Sequence, residues 1–178
     1  VWFTEGSPLV EPCDGFYRTI PPGASPAEIF DTGDRIVRFV TSLLGCGVEK
    51  IFLYSMGLHN GYGTLNPHRL LITAAGELHP SAAAYANLTS LLEGKRFVRR
   101  VTVGNRVYAS IFSDGTKSTA VLLPDPAYRE AKWSPADSKQ WCAVDLFGNR
   151  FVANSPYAAL VTGTGSPAEL ETYLKQER

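Results

Sequence analysis

The chain has 178 residues, 44% hydrophobic and 19% charged, and Lys plus Arg equals Asp plus Glu at 17 each, so the formal net charge is zero. Such a chain can bury the core of one ordinary domain or two small ones. No basic cluster offers the face that phosphate binding needs, which argues against a nucleic-acid partner, and every apolar run falls far below the roughly 20 residues of a membrane-spanning helix.

Cys13, Cys46 and Cys142 are odd in number and widely spaced, so neither a disulfide framework nor a CxxC metal site is suggested, although one bridge stays open. His59, His68 and His79 lack metal-ligand spacing, so no metal or other cofactor is expected. The chain opens with Val1-Trp2-Phe3, already strand-like, so its natural N-terminus is expected upstream together with any signal peptide. Secreted or periplasmic localisation is therefore left open.

In chain order, the apolar run Val1 to Phe3 predicts a strand, followed by a Pro- and Gly-rich loop to Gly23 that is long enough to suggest function. Ser25-Pro26-Ala27-Glu28 supplies an N-cap, a first-turn proline and a capping-box glutamate. The helix that follows should bury Ile29, Ile36, Val37, Val40, Leu43 and Leu44 and stop at Gly45. Ile51 to Tyr54 reads as a strand covered on both faces, as in a parallel sheet. After a second long loop, Gly57 to Arg69, a helix from Ser81 to Glu93 should bury Ala84, Leu88, Leu91 and Leu92 and end at Gly94. Alternating strand and helix is the grammar of a parallel α/β sheet.

Beyond Gly94 short strands are expected at 97–103, 106–112, 118–123, 140–147, 150–153 and 157–162. Gly104-Asn105, Asp114-Gly115 and Gly148-Asn149 are placed to make tight turns, and the pattern predicts an antiparallel sheet or sandwich. The Ser-Pro-Ala-acid signature recurs at Ser25, Ser134 and Ser166, and at Ser166 it should cap a short last helix. Asn87-Leu88-Thr89 is a glycosylation sequon inside a predicted helix, and Gly163-Thr164-Gly165-Ser166 lacks the lysine and glycine spacing of a phosphate loop.

Trp2-Phe3-Thr4-Glu5-Gly6 is an apolar strand ending in a carboxylate, as a barrel enzyme needs at the C-terminal end of a strand. The plain alternative for Glu5 is a solvated carboxylate at a strand end. Here the sequence resembles the clan A glycoside hydrolases, in particular their β-xylosidase-like and related bacterial members. Their strand seven ends in a Trp-x-Thr-Glu-x-Gly pattern whose glutamate is the nucleophile; in this chain the glycine follows Glu5 directly. His79-Pro80-Ser81-Ala82-Ala83-Ala84-Tyr85 and Leu91-Leu92-Glu93-Gly94 resemble their last barrel helix, and Asp145-Leu146-Phe147-Gly148-Asn149 resembles their sandwich.

The resemblance implies a C-terminal piece of a retaining glycosidase. Residues 1–94 would be strands seven and eight of a (β/α)8 barrel with their helices, and residues 95–178 a small β-sandwich domain with a short C-terminal helix. Glu5 would be the catalytic nucleophile, with Tyr54, His59, Asn60 and Tyr62 placed to contact sugar. Many relatives stack a Trp on the sugar near the end of strand eight, and Tyr54-Ser55-Met56-Gly57 has none. The family's acid/base glutamate follows an Asn, and no Asn-Glu pair occurs here, so the chain alone is expected to be inactive. Exposed strand edges imply association, either with the missing N-terminal part of the enzyme or between copies. The competing reading is a non-catalytic carbohydrate-binding or assembly module worked by the β-rich half.

Overall fold

The computed structural model describes residues 1–6, 25–53, 71, 78–125, 133–136, 138–151 and 156–176, with the backbone alone for residues 4–6. The chain divides into two compact units, Val1–Ala86 and Asn87–Arg178. It combines helices with a two-stranded parallel sheet and a five-stranded antiparallel sheet.

In the first unit, strand β1 (Trp2–Gly6) leads through helix α1 (Pro26–Gly45) to strand β2 (Lys50–Leu53), which pairs with β1 in parallel. The capping box at α1 forms as its sequence requires: the Ser25 hydroxyl accepts the Glu28 N–H while Glu28 Oε2 accepts the Ser25 N–H at 2.8 Å. The helix stop differs from expectation. Gly45 is still helical, and Gly47 (φ 83°) takes the left-handed place, so that Gly47 N–H donates to the Leu44 carbonyl and Val48 N–H to that of Leu43. This is a Schellman closure, and only the second glycine of Gly45-Cys46-Gly47 stands at its C′ position.

The buried face of α1 is more polar than the apolar stripe implied. Ile36, Val37 and Val40 are buried, but Ile29, Leu43 and Leu44 are half-buried, while Thr32, Asp34 and Thr41 lie inside. Asp34 is neutralised one turn on by Arg38, and the Thr32 hydroxyl donates to the Glu28 carbonyl. β2 is likewise not covered on both faces: Phe52 is 50% exposed and Trp2 58%, whereas Ile51 and Leu53 are half-buried. Phe3 explains the asymmetry, because it packs edge-on against Phe39 of α1 and marks the covered face.

Helix α2 (Pro80–Leu92) buries Ala84, Leu88 and Leu92, leaves Leu91 half-buried and ends at Gly94 (φ 72°). In the second unit, β3 (Arg96–Val103), β4 (Val107–Ser113), β5 (Lys117–Pro124), β6 (Trp141–Val144) and β7 (Ala159–Thr164) form an antiparallel sheet in the order β3-β4-β5-β7-β6. One face holds Val107, Ala109, Ile111, Ala120, Leu122 and Val161 against Leu170, Tyr173 and Leu174 of helix α3 (Pro167–Leu174). On the other, the Thr119 hydroxyl donates to the Leu91 carbonyl of α2 and lies 2.9 Å from that of Thr162. Both faces are therefore closed, and β5 is buried from Ser118 to Pro124.

Three further expectations are corrected. The first hairpin has a three-residue loop in place of a Gly104-Asn105 turn, with Gly104 and Arg106 at positive φ. β6 ends at Val144, before the expected Phe147, because Asp145 Oδ1 accepts the Phe147 and Asn149 N–H groups and curls the chain back. Arg150 then bridges to Val144 and Phe151 N–H donates to the Ala143 carbonyl, while residues 152–153 of the expected strand lie outside the described residues. Ser134 starts no helix: residues 133–136 are irregular, and the Ala136 carbonyl accepts the Tyr173 hydroxyl at 2.8 Å.

Candidate active site

Because β1 and β2 run parallel, their C-terminal ends lie on one edge of the sheet, and that edge carries Glu5 in β1 and Leu53 in β2. Trp2 pairs with Lys50 and Phe3 with Ile51, but the next pair is Gly6 with Leu53. Thr4 and Glu5 together therefore stand opposite Phe52, and β1 bulges at the candidate nucleophile. On the open face Lys50 Nζ sits 4.6 Å from the centre of the Trp2 ring, and the Trp2 and Phe52 rings are 6.3 Å apart. These three side chains were not singled out by the sequence, although the alternation Lys50-Ile51-Phe52-Leu53 carried the signal. Tyr54, His59, Asn60 and Tyr62 lie outside the described residues.

The second unit offers a groove of about 530 Å³ beside β6, lined by Lys139, Trp141, Cys142, Arg150, Phe151 and Tyr173 among others. Its aromatic floor is spent on the core: Trp141 and Tyr173 are each only 6% exposed, with rings 6.2 Å apart. Glu169, in the adjoining hollow, is held below its ordinary carboxyl pKa by the Ser166 N–H and then the Ser166 hydroxyl. A carboxylate locked in a helix cap as the anion is poorly suited to give up or take a proton near neutrality. Cys46 and Cys142 are exposed free thiols, and no cluster of metal-ligating side chains occurs among the described residues.

The fold is similar to that of a family 39 glycoside hydrolase from the gut symbiont Bacteroides cellulosilyticus WH2, with a TM-score of 0.53 at 13% sequence identity. The match covers 79% of this chain and 31% of that one, so the chain spans about a third of that protein's length. No family model matches the sequence, and no curated protein does. The likeness is one of fold: the chain shares the architecture of part of a glycoside hydrolase.

Proposed function

We propose that the chain is the C-terminal part of a retaining glycoside hydrolase in which Glu5 is the nucleophile. β1 and β2 with their helices would be strands seven and eight of the barrel, and residues 95–178 the sandwich domain that accompanies it. The observation that carries this reading is a parallel strand-helix-strand unit with a carboxylate at the C-terminal edge of its first strand, in a chain with a glycosidase-like fold.

In this reaction Glu5 attacks the anomeric carbon, and the bond to the departing oxygen breaks as a second carboxyl group protonates it. Water then cleaves the glycosyl ester and returns Glu5 as the anion. The two carboxyl groups stand roughly 5 to 5.5 Å apart in retaining enzymes. The second would come from the rest of the protein, and Tyr54, His59, Asn60 and Tyr62 would contact the sugar. The open face bearing Trp2 and Phe52 supports association with that remaining part. The burial of Trp141 and Tyr173 weighs against sugar stacking in the groove beside β6, where neither ring is free.

Two assays test the proposal. The purified chain should not hydrolyse any of a panel of aryl glycosides, and turnover abolished by Glu5→Gln would refute its incompleteness. In the whole protein Glu5→Gln should lower turnover roughly 1000-fold or more.

A further inference from the structure

The parity of β1 conflicts with a catalytic role for Glu5 unless something intervenes. Side chains two apart on a regular strand share a face, so an uninterrupted β1 would place residue 5 in the same row as Phe3. That row faces α1, since Phe3 packs on Phe39 at 5.7 Å between ring centres. Residue 5 would then pair with Leu53, on the row that faces α1. The observed register gives the place opposite Leu53 to Gly6, which has no side chain to bury, and leaves Thr4 and Glu5 both opposite Phe52. Phe52 belongs to the open face with Trp2 and Lys50.

We infer that the Thr4–Glu5 bulge is the positioning device of this site: the extra residue takes position 5 off the α1 row and delivers it to the open face. Thr4 is then a positioning residue, and Gly6 is the residue that fills the vacated row. The purpose assigned to the bulge rests on the reading of Glu5 as nucleophile, but its geometry does not.

Cysteine scanning of the full chain tests it. With Cys13, Cys46 and Cys142 replaced by Ser, the variants Phe3→Cys, Thr4→Cys, Glu5→Cys and Gly6→Cys are labelled one at a time with a soluble maleimide under native conditions, at a dilution where light scattering shows the chain to be monomeric. The bulge predicts fast labelling at both 4 and 5, and labelling roughly tenfold or more slower at 3 and 6. Strict alternation, with 3 and 5 slow and 4 and 6 fast, overturns the inference, and so does equal labelling at all four. Should Gly6→Cys not fold, the rate at position 5 against that at position 3 decides in the same way. The labelling reports only where residue 5 stands. A bulged pattern in a protein whose Glu5 forms no glycosyl adduct sinks the nucleophile reading alone, and an alternating pattern sinks the bulge alone.

Discussion

Single side chains carry much of the local order, and Asp114 shows how. Its Oδ1 accepts the Thr116 and Lys117 N–H groups and the Thr116 hydroxyl, each at 2.8 Å, which closes the β4–β5 hairpin. These bonds, led by that from Lys117 N–H, lower its pKa from 3.8 to about 2. A carboxyl group depressed on folding stabilises the native state above its unfolded pKa, and that contribution fades as pH falls through the folded one. The difference in urea midpoint between the parent chain and Asp114→Ala should therefore be fully present at pH 5 and shrink between pH 4 and pH 2. An unchanged difference at pH 2 would contradict this account. Gly163 acts by lacking a side chain: a Cβ there would lie 2.0 Å from the Gln140 carbonyl oxygen and 2.6 Å from the Trp141 ring. Neither the backbone nor the packed indole can yield cheaply, so Gly163→Ala should cost about 1–3 kcal/mol in denaturant unfolding. Asn87 has a comparable local duty, donating to the Asp145 and Leu146 carbonyls at 3.3 and 3.2 Å, so its sequon amide is already engaged.

Among the elements, helix starts were legible and strand ends were not. Ser25 and Ser166 both open helices with complete capping boxes, because Glu at the third position reaches back to the cap N–H. Ser134 has the same Ser-Pro-Ala prelude but Asp three residues on, one methylene shorter, and Trp133 and Ala136 there are used to anchor the last turn of α3. Ser166→Ala should therefore destabilise the chain by about 1 kcal/mol, while Ser134→Ala should stay within about 0.5 kcal/mol. Thermal unfolding of the two variants checks the contrast, and equal losses would refute it. Periodicity carries β6 on to Phe147 because it cannot show that Asp145 spends its carboxylate on the turn. The bulge in β1 escaped for a similar reason. Five residues hold too few periods to reveal one extra, and its sole trace is the glycine directly after Glu5.

For the whole molecule, composition and strand-helix order yielded a parallel unit followed by an antiparallel one, both of which the structure contains. Sequence did not reveal that α3 and the last turn of α2 lie on opposite faces of the five-stranded sheet, because that depends on contacts between residues far apart in the chain. The small parallel sheet leaves Trp2 58% and Phe52 50% exposed. An aromatic face of this kind favours association. Static light scattering of the purified chain should report self-association or aggregation, and a stable monomer would argue against the proposed missing partner. The central claim concerns one carboxylate, and trapping the covalent intermediate tests it most directly. The protein encoded by the complete reading frame, incubated with a panel of 2-deoxy-2-fluoroglycosyl fluorides and then digested for mass spectrometry, should carry its glycosyl adduct on Glu5. An adduct on any other carboxylate, or turnover undiminished in Glu5→Gln, would contradict the account.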